Sequence, residues 1–222
     1  MNGNNALEAI ETGEFKIFYP ENNGREGLFI NIQAISIALF GNTTFALHLP
    51  SALFGIMTVL GIYFLTRELF KEDKSIAILA ALILATSFWH INFSRIGFRA
   101  IMAPFFMTWG IYFLFKLMND RKIIYGVLGG IVYGLGFHSY IAYRATPAII
   151  LFILAGTWLV YKKEKRLKEF YLYSSVFILF TVIAVAPLMF YFLNNPQDFF
   201  GRTSEISIFN SPTPIKGLGL NI

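Results

Sequence analysis

Long apolar segments separated by short charged stretches dominate the pattern of this sequence. The six strongest segments lie at residues 47–66, 75–94, 100–117, 123–138, 145–161 and 170–193. Crossing a hydrocarbon core of about 30 Å takes about 20 mostly apolar residues, and helix is favoured in each segment because unpaired backbone groups are costly in lipid. The pattern predicts an all-α, polytopic membrane protein with about six transmembrane helices.

The residues before these segments have a different pattern. Residues 1–27 are polar and acidic, which is typical of an exposed loop, whereas the apolar stretch 28–40 is interrupted by Asn31, Gln33 and Ser36. At about 1.5 Å per residue this stretch is too short to cross a bilayer, so we expect a helix at the interface. The predicted organisation is an outer loop containing this helix at 1–46, a transmembrane core at 47–193 and a second, truncated outer loop at 194–222.

Composition supports lipid as the solvent of this chain. Hydrophobic residues make up 56% of its 222 residues and charged residues 14%, with a mean hydropathy of +0.59. A water-soluble fold of this size could not cover so much apolar surface. The net charge of +5 comes from basic loops rather than from one basic face, which disfavours nucleic acid as a partner. The absence of cysteine excludes disulfides and thiolate metal sites.

Basic residues in alternate loops predict the orientation of the chain. These loops lie at 67–74, 116–122 and 162–168. The positive-inside rule places them in the cytoplasm, so the N-terminal region, residues 94–100 and residues 139–145 face the outside. An acidic outer stretch needs a preceding span to carry it across, and we therefore expect that an upstream span is missing and that the chain is a fragment.

The loops predicted to lie outside carry cationic and aromatic side chains that topology alone does not require. They are Arg25, Arg95, Arg99, Arg144, His90, His138 and Tyr140. A guanidinium group is a planar, permanently charged fork that suits phosphate oxygens, so converging loops would form an anion site. Arg95 and Arg99 are four residues apart and, if helical, would share a face with an anion between them. Alternatively, these side chains anchor helix ends at the lipid headgroups.

Two other patterns bear on chemistry and packing. His90 and His138 could act as acid or base near neutral pH, or each could be a satisfied residue at a helix end. No His-x-x-x-His or paired-carboxylate spacing indicates a metal site. Gly126, Gly130 and Gly134 recur every four residues, which favours close packing of membrane helices.

Four stretches of the chain resemble one family. They are NGNNALEAIETGEF, YPENNGREGLFINIQAISIALFG, LHLPSALFGIMTVLGIYFLTRELF and SFWHINFSRIGFRAIMAPFF. In this order they resemble the N-terminal half of multi-spanning type C glycosyltransferases, in the branch similar to protein mannosyltransferases and aminoarabinose transferases (glycosyltransferase family 39-like). The resemblance covers nearly the whole chain, and its most specific part runs from GREGLF to LPSALFG.

The resemblance implies a reaction and its partners. Family members transfer a sugar from a polyprenyl-phosphate carrier to an acceptor at the outer leaflet, as in protein glycosylation. The partners implied are membrane lipid, the lipid-linked sugar and an acceptor of unknown identity, with no cofactor. The implied location is the cell membrane, with a multi-pass chain and the active face outside the cytoplasm.

The resemblance also implies roles for particular residues. Arg25 stands where relatives place a lysine that contacts the donor phosphate, which makes it the first phosphate-binding candidate. Arg99 lies near a position that is acidic in many relatives, so its role stays open. Relatives carry an Asp-Glu pair just ahead of the NGNNAL-like stretch, and that pair would lie upstream of Met1. The catalytic residue is therefore unknown, and Glu26 is a weak candidate that is better suited to an ion pair with a neighbouring arginine.

Two other functions remain open at this stage. A transporter or flippase of lipid-linked sugars would also gather polar residues around a cavity, but it usually carries ionisable groups in mid-span, and these segments have almost none. A non-catalytic membrane subunit would suit the missing acidic pair.

Overall fold

The described part of the protein is built almost entirely of α-helices. A computed structural model describes residues 2–21, 24–71 and 73–199. Its helices are α1 (Asn2–Thr12), α2 (Leu28–Phe40), α3 (Thr44–Leu69), α4 (Lys74–Thr86), α5 (Phe88–Arg95), α6 (Met102–Asp120), α7 (Ile123–Leu135), α8 (Pro147–Lys163) and α9 (Leu167–Asn194). Two short strands, β1 (Phe18–Tyr19) and β2 (Arg25–Glu26), form an antiparallel pair. The predicted all-α class is confirmed.

All six predicted apolar segments are helical, and their lengths differ. Four helical stretches are long and apolar enough to cross a membrane: Thr44–Leu69, Arg99–Asp120, Ile141–Lys163 and Leu167–Asn194. Helices α4 and α5, which are bent by 59° relative to each other, make a fifth if the pair is one broken span rather than a re-entrant loop. The remaining segment, Ile123–His138, is a shorter apolar helix. Length and composition thus support four or five spans in the described residues, together with one shorter apolar helix.

The outer surface of the bundle is apolar, as expected of helices in lipid. Phe152 on α8 is 81% exposed, and Leu193 on α9 is 70% exposed. A soluble monomer rarely exposes extended apolar surface of this kind. The pattern is that of a polytopic membrane protein.

The N-terminal residues are ordered, contrary to the expectation of an exposed loop over 1–27. Residues 2–12 form α1, whose Ala6 and Ala9 are 0% and 1% exposed and pack with Ile30 and Ala34 of α2. The two strands then connect α1 to α2. Most residues of α1 are polar, and the apolar stripe that packs against α2 is short. The sequence pattern therefore suggests a loop rather than a helix.

Helix α2 has the bounds expected from the sequence, and its polar residues explain how it docks. The Asn31 side chain donates to the Lys16 carbonyl (3.1 Å), Gln33 donates to the Leu47 carbonyl (2.8 Å) and Ser36 donates to the Ala46 carbonyl (2.7 Å). The residues that interrupt the apolar stretch therefore fix it to the N-terminal hairpin and to α3. Its position at the membrane interface stays a prediction.

Glycines of α7 allow this helix to pack closely against α9. A Cβ atom at Gly130 would lie 2.5 Å from the Phe177 carbonyl oxygen, and one at Gly134 would lie 2.7 Å from the Thr181 carbonyl oxygen. Gly126 and Gly129 are buried in the same helix. The four-residue glycine spacing thus has the packing role that the sequence indicates.

We expect the substitution Gly130→Ala to lower the free energy of unfolding by about 1–3 kcal/mol, because the added methyl group must displace backbone of α9. The control is Gly156→Ala on α8, where nothing lies within 4 Å of the added methyl group. Thermal unfolding of the purified protein in detergent measures both. Equal unfolding midpoints for the two variants would contradict this packing role.

Candidate functional site

Three segments that are distant in sequence meet around Glu26 at one end of the bundle. Strand β2 brings Glu26, the 3₁₀ turn Arg99–Ile101 brings Arg99, and the 3₁₀ turn Ile141–Ala145 brings Arg144. These are the three loops that the orientation argument predicts on the same side of the membrane. We name Glu26, Arg99 and Arg144 the Glu26 cluster.

Glu26 is a buried carboxylate shared by two arginines. Its side chain is 2% exposed, and its Oε2 atom lies 2.8 Å from Nη1 of Arg99. The other carboxylate oxygen, Oε1, lies 3.3 Å from Nη2 of Arg144. Removing one partner of a buried ion pair leaves an uncompensated charge, which costs much more than the loss of an exposed pair. Glu26 therefore holds the three segments together.

Arg99 is the buried cation of this cluster. It is 2% exposed, and its guanidinium group lies 5.4 Å from the centre of the Tyr140 ring, which is within the range of a cation–π contact. The protein thus supplies two partners for this guanidinium group: the carboxylate of Glu26 on β2 and the aromatic ring of Tyr140 in the loop after α7. This arrangement fixes Arg99 as a structural counter-ion of Glu26.

Arg95 and Arg99 do not share a helix face, so that expectation is wrong. Arg95 ends α5 and is exposed, whereas Arg99 begins the following 3₁₀ turn and is buried. Gly97 between them has a φ of +64°, a left-handed conformation that breaks the helix. Arg99 forms an ion pair with Glu26, and a phosphate contact of Arg95 or Arg99 stays a prediction.

Arg144 joins the cluster to an apolar groove. Its side chain is 21% exposed, and its guanidinium group lies 5.0 Å from the Phe192 ring centre and 4.8 Å from that of Phe199. The groove has a volume of about 490 Å³, and Arg144 is the one charged side chain among its described lining residues. The other lining residues are Phe137, Val185, Leu188, Met189, Phe192, Leu193, Pro196 and Phe199.

Arg25 lies next to Glu26 in β2 and makes different contacts. Its Nη1 donates a hydrogen bond to the Asn2 side-chain oxygen on α1, whereas Glu26 reaches the two arginines of the cluster. Successive side chains of a strand point to opposite faces, which accounts for this division. Arg25 is half-buried at the edge of α1, and its predicted phosphate contact stays a prediction.

The two histidine candidates are held by backbone contacts in different places. Nε2 of His138 donates to the Ala184 carbonyl on α9 at 2.9 Å, and Nε2 of His90 donates to the Gly55 carbonyl on α3 at 3.1 Å. A carbonyl oxygen can only accept, so this nitrogen carries the proton in both rings. Each histidine thus fastens one helix to another, which is the satisfied alternative left open by the sequence.

Glu26 is poorly placed to act as a general base. A base must come within hydrogen-bonding distance of the proton it removes, but both oxygens of this carboxylate face arginines and the residue is 1% exposed. An ion pair with an arginine, the use that the sequence favours for Glu26, is what the structure contains. In residues 2–21, 24–71 and 73–199, no group of three or more His, Cys, Asp or Glu side chains could hold a metal ion.

The apolar groove beside Arg144 is the feature that sequence reasoning missed. Five of its lining residues, at positions 185, 188, 189, 192 and 193 of α9, have the i, i+3, i+4, i+7, i+8 spacing of one helix face. This spacing alone could not have identified the groove. Helix α9 is apolar on every face, so the side that lines the groove cannot be distinguished from the side that faces lipid.

Comparisons with known proteins identify the class to which this helical bundle and its charged end belong: it is a membrane glycosyltransferase domain. Residues 28–191 match the family described as dolichyl-phosphate-mannose-protein mannosyltransferase, and the chain belongs to that family. No solved structure matches the chain significantly.

Two curated relatives are similar to parts of the chain. A Bacillus subtilis protein named "Putative mannosyltransferase YkcB" is 30% identical over 135 residues, which cover 60% of this chain and 19% of that protein. The undecaprenyl phosphate-alpha-4-amino-4-deoxy-L-arabinose arabinosyl transferase of Pectobacterium atrosepticum is 28% identical over 159 residues, which cover 67% of this chain and 26% of that protein. The chain thus spans about a quarter or less of the length of these relatives.

We expect the substitution Glu26→Gln to destabilise the protein by about 3–5 kcal/mol, because Arg99 would keep a buried charge without its counter-ion. The double variant Glu26→Gln, Arg99→Gln should recover part of this loss, since it removes both charges. Thermal unfolding in detergent measures the three proteins.

The matched control for Glu26 is Glu21→Gln. Glu21 pairs with Lys16 at 2.7 Å, but these side chains are 41% and 35% exposed, so the expected loss is below about 1 kcal/mol. If Glu26→Gln were no more destabilising than Glu21→Gln, the Glu26 cluster would not hold the three segments together.

Proposed function

We propose that this chain is part of a membrane glycosyltransferase that moves a sugar from a polyprenyl-phosphate donor to an acceptor on the outer face of the cell membrane. The observation that carries this proposal is the apolar groove that ends at Arg144. Family membership supports the transferase class, and one relative is named for an undecaprenyl-phosphate-linked sugar. The chain covers 26% of that relative, so the activity of the whole protein is part of the proposal.

The groove matches the two parts of a polyprenyl phosphate. Its aromatic and aliphatic side chains suit an isoprenoid tail, and the guanidinium group at its end suits phosphate oxygens. Arg144 is oriented before any ligand arrives, because Glu26 binds one edge of its guanidinium group and the rings of Phe192 and Phe199 lie beside it. A preorganised cation is worth more to a developing charge than a mobile one.

In the proposed reaction, the acceptor hydroxyl oxygen attacks the anomeric carbon of the sugar, and its proton passes to a carboxylate base, the role that the family resemblance gives to an Asp-Glu pair. The bond between that carbon and the phosphate oxygen breaks, and its electron pair stays on the departing polyprenyl phosphate. Arg144 stabilises this negative charge. Arg25, which the family resemblance suggests as a phosphate contact, leaves β2 on the face opposite to Glu26 and is tested separately. Glu26 and Arg99 act as positioning residues, since neither is exposed enough to reach the donor.

The first test is sugar transfer from radiolabelled polyprenyl-phosphate sugars in membranes that contain the full-length protein. We expect Arg144→Gln to lower kcat/KM for the donor by about two orders of magnitude, because a preorganised charge stabiliser is lost. Arg144→Lys should retain part of the activity, since it keeps the charge but loses the planar fork.

The matched control is Arg67→Gln, which should leave transfer unchanged. Arg67 is an exposed arginine in the last turn of α3. No transfer with any donor, or equal activity of the Arg144 and Arg67 variants, would overturn the proposal.

Arg25 is tested against the residue that it touches. If Arg25 contacts the donor phosphate, Arg25→Ala should lower kcat/KM by about two orders of magnitude, while Asn2→Ala should lower it only a few-fold, because it removes one hydrogen bond. The same transfer assay measures both variants. Equal losses would assign Arg25 a structural role at α1.

A further inference from the structure

A second groove lies along α3, on the side covered by α5. Helix α5 is bent by 59° relative to α4 and packs against α3, where His90 donates to the Gly55 carbonyl at 3.1 Å. A Cβ atom at Gly55 would lie 2.2 Å from Oγ of Ser94, so the two helices are in close contact there. The groove extends from this contact in both directions along α3, towards Thr44 and towards Leu60. It shares no lining residue with the groove at Arg144.

The two halves of the α3–α5 groove differ in polarity. The half along the middle of α3 has a volume of about 380 Å³ and is lined mainly by aliphatic side chains such as Ile56, Val59 and Leu60. The half at the start of α3 has a volume of about 600 Å³ and is lined by polar residues as well as apolar ones. Its polar residues are Thr44, His48, Asn92, Ser94 and Arg95. Ala52, Ser94 and Arg95 line both halves.

The polar half is electropositive for two independent reasons. Arg95 is an exposed guanidinium group that forms no ion pair with a carboxylate in the described ranges of the chain, and no acidic residue lines either half of the groove. The polar half also lies at the N-terminus of the 26-residue helix α3, where the helix dipole and backbone N–H groups favour an anion.

The geometry points to a binding site for an anionic phospholipid in this groove, with the phosphate at Arg95 and the start of α3 and an acyl chain along Ile56 to Leu60. The polar half lies at the end of a membrane-length helix and the apolar half towards its middle, which is how a lipid lies within one leaflet. A planar guanidinium group distinguishes phosphate from uncharged headgroups. This site is independent of sugar transfer.

The test is native mass spectrometry of the purified full chain in detergent, titrated with phosphatidylglycerol or with diacylglycerol, which has the same acyl chains but no phosphate. We expect Arg95→Gln to weaken the tightest phosphatidylglycerol site about tenfold, the effect of losing one charge-assisted hydrogen bond, while binding of diacylglycerol changes little. Ala52→Phe should weaken both lipids, because it fills the groove where its halves join and leaves the charge in place.

The control for charge is Arg67→Gln, at the other end of α3, which should keep the tightest phosphatidylglycerol site. Unchanged phosphatidylglycerol binding in Arg95→Gln, or an equal loss in Arg67→Gln, would overturn the proposal. Equal wild-type affinity for the two lipids would overturn it as well. None of these results depends on the transferase assay, so this inference and the proposed function can fail separately.

Discussion

A buried carboxylate between two arginines is the interaction on which the organisation of this protein depends. Glu26 lies at the junction of β2 and α2, and its partners Arg99 and Arg144 precede α6 and α8. Each of these three charges would be costly to bury alone. Together they position the helices that follow them, and they orient one arginine towards an apolar groove.

Packing beyond this cluster relies in part on small residues. Glycines of α7 bring the helix backbone close to α9, and Gly55 of α3 does the same for α5. In lipid, apolar side chains gain little from leaving their solvent, so close backbone approach and satisfied polar groups provide much of the specificity. The carbonyl contacts of His90 and His138 are examples of such satisfied groups.

Periodicity and turn residues account for most of the fold that could be predicted. The sequence predicts helix α2 with the bounds that it has, because the mainly apolar stretch 28–40 is flanked by Gly27 and Gly41. Helix α1 was missed because its buried face consists of few, small residues. The separation of Arg95 from Arg99 was missed because it depends on the left-handed conformation of Gly97, which spacing alone does not reveal.

The candidate site was predictable in its members and less so in its arrangement. The positive-inside rule gathered Glu26, Arg99 and Arg144 on one side, and an ion pair for Glu26 was expected. Which arginine is buried and which one borders a groove depends on tertiary packing with Tyr140 and Phe192. The groove beside Arg95 depends on the bend between α4 and α5, and the apolar pattern of residues 75–94 does not predict that bend.

The sequence separation within the Glu26 cluster has a consequence for how the protein is assembled. Glu26 is synthesised 73 residues before Arg99 and 118 residues before Arg144. The complete cluster can form only after the loops that carry Arg99 and Arg144 have been synthesised and lie on the same side of the membrane as Glu26. It therefore forms only when α6 and α7, which lie between these two loops, have the matching topology.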